Sequence, residues 1–199
     1  DEFDASTPTD SNGATNTVEE NSASGTTVGV TASSSDSDGT TNTITYSVSA
    51  QSCSGVFTVG ESSGIVTVTS NTNLNYESAT SCTVTVLATS ADGSSDSTVF
   101  TIAVTDEAVT VTDNSANLAE DADDDDAVVT VAATGDTGSL TWAIDSGDTH
   151  SIFAIGSSTG AITVDSNANL NYESAASYDL VVSATDGTLA DTETITITI

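Results

Sequence analysis

The sequence predicts an all-β protein made of two tandem seven-stranded Greek-key β-sandwich domains. The first observation is an internal repeat: the pentapeptide Leu-Asn-Tyr-Glu-Ser at residues 74–78 returns unchanged at residues 170–174. The second is that apolar residues alternate with Ser and Thr in short runs, the period-2 pattern of half-buried strands. Third, Gly, Asn and Asp separate these runs, and no segment keeps a 3.6-residue period. Seven short strands in a repeat of this length favour a Greek-key sandwich.

Six apolar stripes recur in register in the two repeats. In chain order the paired stripes are Val28/Val30/Ala32 with Val129/Val131/Ala133, Ile44/Tyr46/Val48 with Leu140/Trp142/Ile144, Phe57/Val59 with Phe153/Ile155, Val66/Val68 with Ile162/Val164, Val84/Val86/Ala88 with Leu180/Val182/Ala184, and Phe100/Ile102/Val104 with Ile195/Ile197/Ile199. A first strand near Phe3 in repeat 1, and near Val109 and Val111 in repeat 2, brings each repeat to seven strands. We therefore place the domains at residues 1–107, including a polar N-terminal strand or extension, and 108–199.

The charge balance limits the partners of the chain. It has 30 acidic residues, no Lys or Arg and one His, so its formal net charge is −30. Nucleic acid is excluded as a partner because no side-chain cation can neutralise its phosphates. No apolar run is long enough to cross a bilayer, and we expect no direct membrane insertion. Because salt, bound cations or a basic partner must relieve the self-repulsion, we expect an extracellular or cell-surface location in a high-salt or marine-type environment.

Two matches to the G-x-S-x-G pattern, at residues 60–64 and 156–160, are the nearest approach to a catalytic motif. That motif needs a strand-to-helix turn and a nearby His. Here each match lies between two predicted strands, and the single His, His150, is close to only one of them. We interpret both as hairpin turns and His150 as a loop residue. The sequence predicts no catalytic residue, no organic cofactor site and no enzyme activity.

With its strands assigned, the chain resembles tandem cadherin-type domains, in style the bacterial cadherin-like repeats of large surface proteins. The matching residues of repeat 1 are Glu20-Asn21, Gly25-Thr26, Asp36-x-Asp38, Asn42, Tyr46, Phe57, Gly64-x-Val66, Leu74-Asn75-Tyr76-Glu77, and Ala88 before Asp92-Gly93. Those of repeat 2 are Glu120, Trp142, Phe153, Gly160-x-Ile162, Leu170-Asn171-Tyr172-Glu173 and Ala184-Thr185-Asp186-Gly187. The resemblance implies a cadherin-like sandwich for each repeat.

Cadherins bind Ca²⁺ between successive domains, so the resemblance also implies a calcium junction within this chain. The implied ligands are Glu20 and Glu77 of repeat 1, Asp106, Glu107, Asp113 and Asn114 of the linker, and Asp136 and Asp186 of repeat 2. The family's Leu-Asp-x-Glu has become Leu-Asn-x-Glu at Asn75 and Asn171, which removes a charge but keeps an oxygen. Fewer carboxylates imply weaker binding. The alternative is a cadherin-like fold whose sites have decayed.

A run of acidic residues at positions 121–126, Asp-Ala-Asp-Asp-Asp-Asp, lies between the first two strands of repeat 2. We interpret it as a solvated acidic loop, and the alternative is a segment that binds metal loosely.

Both cysteines of the chain, Cys53 and Cys82, fall in repeat 1, and repeat 2 has Thr149 and Tyr178 in their places. Two cysteines in one domain of an apparently exported chain favour a disulfide. The alternative is a buried pair of free thiols.

These features predict an extracellular structural module: a subunit or segment of a surface filament, stalk or giant adhesin, stacked head to tail. A second junction between copies would use Glu120 and Glu173 below, Asp1, Glu2 and Asp4 as linker, and Asp36, Asp38 and Asp92 above. The polar stretch at residues 6–17 is a candidate to pair with a neighbour's sheet edge. The alternative is a recognition module that binds carbohydrate or a partner protein through its end loops, with other cell-surface proteins or glycans as partners.

Overall fold

The computed structural model describes residues 4–37, 42–136 and 138–199. The chain divides into two compact units, Asp1–Glu107 (unit 1) and Ala108–Ile199 (unit 2). Strands dominate both units, and the helical content of the described ranges is one 3-10 turn, Asn167–Asn169. None of the helical structure in those ranges is long and apolar enough to cross a membrane. Four residues named in the predictions, Asp1, Glu2, Phe3 and Asp38, lie outside the described residues.

The described residues of unit 1 form a sandwich of two four-stranded sheets. Its strands are β1 (Thr9–Asp10), β2 (Thr17–Glu19), β3 (Thr27–Ser33), β4 (Ile44–Gln51), β5 (Phe57–Val59), β6 (Ile65–Val68), β7 (Ser81–Ser90) and β8 (Ser95–Thr105). The sheet orders are β1-β3-β6-β5 and β2-β8-β7-β4. All pairs are antiparallel except the parallel pair of β2 and β8.

Unit 2 repeats this architecture with more interruptions. Its strands are β9 (Thr110–Val111), β10 (Ala116–Asn117), β11 (Ala127–Thr130), β12 (Ala133–Thr134), β13 (Thr141–Ser146), β14 (Phe153–Ile155), β15 (Ala161–Val164), β16 (Ser177–Thr185) and β17 (Ala190–Thr198). One sheet has the order β10-β17-β16-β13, and the other face consists of β11-β15-β14 and the pair β12-β9. As in unit 1, the parallel pair joins the first strand to the last, here β10 to β17.

The all-β, seven-stranded prediction is confirmed once the broken strands are counted as single strands. In both units the first strand leaves one sheet and joins the other, as β1 and β2 or as β9 and β10. Short polar side chains make these breaks. Asp10 Oδ1 accepts the Asn12 N–H at 3.0 Å, and Asp113 Oδ1 accepts the Ser115 N–H at 3.0 Å. Such Asx turns compete with the sheet ladder and redirect the chain.

The pairing of residues 6–17 with a neighbour's sheet edge stays a prediction, and the structure places this segment at the edge of a sheet of its own unit. Thr9 and Asp10 form β1, which pairs with Ser33 and Ala32 of β3 in the same unit. Further contacts extend this pairing, including a 2.9 Å hydrogen bond from the Ser11 N–H to the Thr31 carbonyl. An edge strand with solvent on its outer side can be polar throughout, so its composition did not show that its hydrogen bonds are made internally.

Each unit encloses its own apolar core, formed by the predicted stripes. Strand β7 shows the alternation clearly, since every second residue from Cys82 to Ser90 is buried. The corresponding strand β16 buries Tyr178, Leu180, Val182 and Ala184 in the same way. Burying one such Val or Leu side chain contributes roughly 1.5–3 kcal/mol, so these stripes are the main source of stability.

The hairpins after β5 and β14 contain the two G-x-S-x-G matches. Gly60 donates its N–H to the Ile65 carbonyl at 2.9 Å, which closes the first hairpin. The last glycine of each match has positive φ, 67° at Gly64 and 66° at Gly160. A Cβ at Gly64 would lie 2.0 Å from the Ala32 carbonyl oxygen, and one at Gly160 would lie 2.7 Å from that of Val131. The pattern therefore reflects tight strand packing.

The two units stabilise the same position by different means. In unit 1 a disulfide joins Cys53 to Cys82, with a Cα–Cα distance of 5.6 Å, so the predicted bond is present. In unit 2 Tyr178 occupies the position of Cys82. Its ring packs edge-to-face on Phe153, with centroids 5.4 Å apart. A cross-link in one unit thus corresponds to an aromatic pair in the other.

Removal of the disulfide should destabilise unit 1 selectively. The double variant Cys53→Ala/Cys82→Ala releases a loop constraint from the unfolded chain, and we expect unit 1 to lose about 3–4 kcal/mol. Urea unfolding followed by circular dichroism measures this loss. Trp142, the single Trp of the chain, is buried in unit 2 and serves as the internal control by fluorescence. Alkylation of two thiols in the unreduced wild-type protein, read by intact mass, would contradict the bond.

Candidate metal centre

A buried carboxylate lies at one end of unit 1. Glu20 directly follows β2 and is 1% exposed. Its Oε2 accepts the backbone N–H of Tyr76 at 2.8 Å, and its Oε1 accepts that of Glu107 at 3.1 Å. Its own N–H donates to the Thr105 carbonyl at 2.9 Å. One side chain therefore connects the end of β2, the Leu-Asn-Tyr-Glu turn and the segment that leaves β8.

Two further carboxylates join Glu20 to form the acidic cluster of unit 1. Carboxylate oxygens of Glu20, Glu77 and Asp106 all lie within 4.8 Å of one another. Glu77 is exposed and its Oε2 accepts a hydrogen bond of 3.2 Å from the Asn75 amide, while Asp106 is half-buried just after β8. Asn75, which replaces the Asp of the family motif, thus orients a neighbouring carboxylate.

The electrostatics of the acidic cluster favour a bound cation. Three carboxylates this close repel one another, and the chain has no Lys or Arg to pair with them. Backbone N–H groups compensate part of the desolvation of Glu20 but carry no full positive charge. The donors are all hard oxygens, which suit Ca²⁺ and do not suit softer transition metals.

Unit 2 brings together two of the predicted ligands, Asp136 and Asp186. Their carboxylate oxygens lie within 4.8 Å of each other, and Asp136 is 5% exposed. Gly135 precedes Asp136 with a φ of 87°, and a Cβ there would lie 2.0 Å from the Ala108 carbonyl oxygen. Only glycine lets the backbone pass this close, and the turn directs Asp136 inward, where its Oδ1 accepts the Gly138 N–H at 3.0 Å.

The Asp186 carboxylate organises the turn between β16 and β17. Its Oδ1 accepts the N–H groups of Thr188 and Leu189, both at 2.8 Å, and the Thr188 hydroxyl at 3.0 Å. Burial opposes its ionisation, but these hydrogen bonds outweigh that effect and hold the pKa of Asp186 below its usual value. Its other oxygen, Oδ2, is buried and accepts no hydrogen bond from the described residues. Asp186 is thus an ionised carboxylate with one buried oxygen that accepts no hydrogen bond from the described residues.

Unit 1 has a different arrangement at the equivalent place. Asp36 is 8% exposed, and its Oδ2 accepts the hydroxyl of Ser90 at 2.5 Å. Ser90 stands where unit 2 has Asp186, at the 96-residue offset of the repeat. Asp92 lies two residues further on, and hydrogen bonds from the backbone and side chain of Ser94 lower its pKa. Sequence reasoning missed Ser90, although its alignment with Asp186 was a usable signal.

The predicted linker ligands Glu107, Asp113 and Asn114 are not members of the acidic cluster of unit 1. Glu107 donates its N–H to Glu20 and accepts the Asn21 amide on its Oε2 at 3.2 Å. Asp113 Oδ1 accepts hydrogen bonds from both the N–H and the hydroxyl of Ser115. Asn114 Oδ1 accepts a hydrogen bond from the Thr112 hydroxyl at 3.1 Å. The structure therefore places Asp113 and Asn114 in the turn between β9 and β10, outside the groups of three carboxylates found among the described residues.

The remaining predicted ligands lie in unit 2. Glu120 is exposed and accepts the Tyr172 N–H at 3.1 Å, the counterpart of the contact between Glu20 and Tyr76. Glu173 is also exposed. In the acidic run at residues 121–126, Asp126 accepts the Asp123 N–H at 2.9 Å and Asp124 accepts the Asn167 N–H at 2.8 Å. These contacts are those of an exposed, internally hydrogen-bonded loop.

The Asp186 turn should give unit 2 a specific acid sensitivity. A carboxyl whose folded pKa lies below its unfolded value of about 3.9 stabilises the fold above that pH, and the contribution disappears as the pH falls through the folded pKa. We expect Asp186→Asn to lower the free energy of unfolding at neutral pH and to flatten its decline below about pH 4. Urea unfolding read by Trp142 fluorescence measures this, with Asp165→Asn, at an exposed position, as the control. Parallel pH profiles for wild type and Asp186→Asn would contradict the role of Asp186.

Comparison with known families identifies both repeats. The family profile of the cadherin domain matches residues 15–105 and 114–199. No curated protein matches the chain significantly.

Many solved structures are also similar. Drosophila N-cadherin EC1-3 is 20% identical with a TM-score of 0.43, and the match covers 96% of this chain and 66% of that one. Mouse Cadherin-23 EC22-24 is 22% identical with a TM-score of 0.44, with 92% and 61% covered. The human Desmocollin-1 ectodomain is 21% identical with a TM-score of 0.43, with 97% and 42% covered. The chain thus spans less than two thirds of each of these structures.

Proposed function

The chain belongs to the cadherin-domain family, and from this premise we propose that it is an extracellular structural module whose acidic ends bind Ca²⁺. It acts as a subunit or segment of a surface filament, stalk or giant adhesin. The observation that carries the proposal is the acidic cluster of Glu20, Glu77 and Asp106, with oxygens within 4.8 Å of one another in a chain without Lys or Arg.

Calcium suits the residues on chemical grounds. It takes six to eight oxygen ligands from carboxylates, amides and backbone carbonyls, and tolerates irregular geometry. Glu20, Glu77 and Asp106 would hold it in unit 1, and Asp136 and Asp186 are the matching donors of unit 2. Bound Ca²⁺ would supply the positive charge that the chain lacks, and would connect segments that otherwise repel one another.

Head-to-tail stacking of copies is proposed from the two kinds of acidic loops that the units carry. Unit 2 has Glu120 beside the Tyr172 N–H, as unit 1 has Glu20 beside that of Tyr76. Unit 1 has Asp36 and Asp92 near Ser90, where unit 2 has Asp136 and Asp186. Each unit thus carries one acidic loop of the Glu20 kind and one of the Asp136 kind. The same chemistry would therefore join successive units of different copies. A heterologous contact of this type does not close and propagates as a fibre.

Surface composition favours this structural role over recognition of a protein partner. The large apolar side chains exposed among the described residues are Ile65, Val99, Tyr172 and Leu189. They include a single aromatic residue and come from separate segments of the chain. Protein-binding surfaces usually contain a central aromatic or Arg anchor, and this chain has no Arg.

Calcium should raise the melting temperature of unit 1 beyond the effect of ionic strength. A ligand bound only by the folded state stabilises that state by RT ln(1 + c/Kd), where c is the free ligand concentration, so the effect grows with ligand concentration. We expect Ca²⁺ to stabilise the wild type, and Glu20→Gln or Asp106→Asn to remove most of the increment. Thermal unfolding followed by circular dichroism, with and without Ca²⁺ added to chelator-treated protein, measures this increment in melting temperature.

The matched control for the calcium test is Glu19→Gln, which removes the same charge from the exposed neighbour of Glu20. NaCl at equal ionic strength controls for screening of the net charge of −30. Equal melting shifts with Na⁺ and Ca²⁺, or equal losses in Glu19→Gln and Glu20→Gln, would mean that only general charge relief operates.

Stacking should appear as calcium-dependent association. We expect fibres or ladders of oligomers at high protein concentration, with an axial repeat of about 80–100 Å for two sandwiches of roughly 40–50 Å each. Electron microscopy and analytical ultracentrifugation measure this. Glu120→Gln/Glu173→Gln should weaken association without lowering the melting temperature of unit 1. A monodisperse monomer at high concentration, with and without Ca²⁺, would contradict assembly from separate subunits.

A further inference from the structure

A pocket recurs at the same place in both units. In unit 2 it has a volume of about 460 Å³, and its walls include Thr149, His150, Asn169, Asn171, Ser174 and Tyr178. In unit 1 it has a volume of about 540 Å³. Seven of the eight residues that line the unit 1 pocket have their counterparts 96 positions later in the lining of the unit 2 pocket; the exception is Ser52. The cavity is therefore a feature of the repeated fold, and the two copies can be compared directly.

Several residues that line the unit 1 pocket are already bonded within the protein. Cys53, one of its lining residues, is held in the disulfide with Cys82. The side-chain amide of Asn73 donates to the Ser54 carbonyl at 2.8 Å, and that of Asn75 donates to Glu77 at 3.2 Å. Both side-chain amide nitrogens of this pocket thus already donate hydrogen bonds within the protein.

The unit 2 pocket keeps the same framework but leaves its amides available. Asn171 accepts the Ser174 N–H on Oδ1 at 2.9 Å, which fixes the orientation of its side chain. Within the described part of the chain, the amide nitrogens of Asn169 and Asn171 donate no hydrogen bond. Tyr178 is held by its contact with Phe153, and its hydroxyl reaches the Asn169 carbonyl at 3.5 Å. The pocket therefore combines available amide groups with the ring of Tyr178, which its contact with Phe153 holds in place.

The lining of this pocket selects for a neutral ligand. It contains no Asp or Glu, although the chain has 30 of them, and so it offers no carboxylate to a cation. It also contains no Lys or Arg for an anion, which the net charge of −30 would repel. Amides, hydroxyls and an imidazole are donors and acceptors for hydroxyl groups, while Ala168, Ala175 and Tyr178 supply apolar contact. The volume falls in the range of small-molecule sites.

We propose that the unit 2 pocket binds a neutral sugar unit, and that the corresponding pocket of unit 1 does not. The asymmetry rests on the engaged amides and the disulfide of unit 1, set against the available amides, His150 and Tyr178 of unit 2. This inference goes beyond the structural role and does not depend on it, since its ligand and its residues differ from those of the calcium proposal.

The single histidine makes the test direct. His150 lines the unit 2 pocket and is the only His of the chain, so its imidazole proton signals in the NMR spectrum report this pocket alone. The full 199-residue chain is titrated with glucose, galactose, mannose and N-acetylglucosamine. N-acetylneuraminic acid serves as the anionic control and CaCl₂ as the cationic control. We expect a saturable shift with at least one neutral sugar, at a dissociation constant on the order of millimolar.

Variants matched between the two pockets localise the binding. Asn169→Ala should weaken the affinity about 3- to 10-fold, the usual effect of losing one hydrogen bond, and Asn73→Ala in unit 1 should not change it. The pair Ser174→Ala and Ser78→Ala repeats the comparison at a second wall position. Trp142 fluorescence checks that unit 2 stays folded.

Three results would overturn the proposal. These are the absence of a saturable shift with any neutral sugar, a response to CaCl₂ alone, or equal weakening by Asn169→Ala and Asn73→Ala. The calcium tests are unaffected by any of these results, because they read the melting of unit 1.

Discussion

The buried carboxylate of Glu20 is the constraint around which one end of unit 1 is organised. A buried charge must be paired or hydrogen-bonded, and here backbone N–H groups of Tyr76 and Glu107 compensate it in part. Those two contacts join three segments that are distant in sequence, and they leave Glu20 beside Glu77 and Asp106. In a chain without Lys or Arg, a cation from solution is one means of relieving this repulsion. The residues that organise this end of the fold are therefore the same ones that we propose to bind Ca²⁺.

Equivalent positions of the two units are stabilised by contacts between different residues. The Cys53–Cys82 disulfide of unit 1 corresponds to the ring contact of Tyr178 with Phe153 in unit 2. Conversely, the hydrogen bond from the Ser90 hydroxyl to the Asp36 carboxylate corresponds to a pair of carboxylates, Asp136 and Asp186. One framework of strands thus tolerates exchange of covalent, aromatic, hydroxyl and carboxylate contacts. Such exchange is concentrated at the ends of the strands, where function can diverge while the core stripes are kept.

The long strands and their registers were predictable because burial imposes a period-2 pattern on β7, β8, β16 and β17. The short polar elements could not be predicted in this way. Strand β1 buries few apolar side chains, and its local pairing with β3 has no periodic signature. Asp113 and Asn114 match calcium ligands in composition, yet their side chains form the turn between β9 and β10. Proximity of Glu20, Glu77 and Asp106 was implied by family resemblance alone, because contacts between distant loops follow from the fold and not from local sequence.

The central claim is that the acidic cluster of Glu20, Glu77 and Asp106 is a specific Ca²⁺ site. Isothermal titration calorimetry of the chelator-treated protein with CaCl₂ in concentrated NaCl tests it most directly, since added salt suppresses general charge screening. We predict a saturable, stoichiometric heat that persists in NaCl, is lost in Glu20→Gln and is retained in Glu19→Gln. A heat that vanishes in NaCl, or that is the same in the two variants, would contradict the claim.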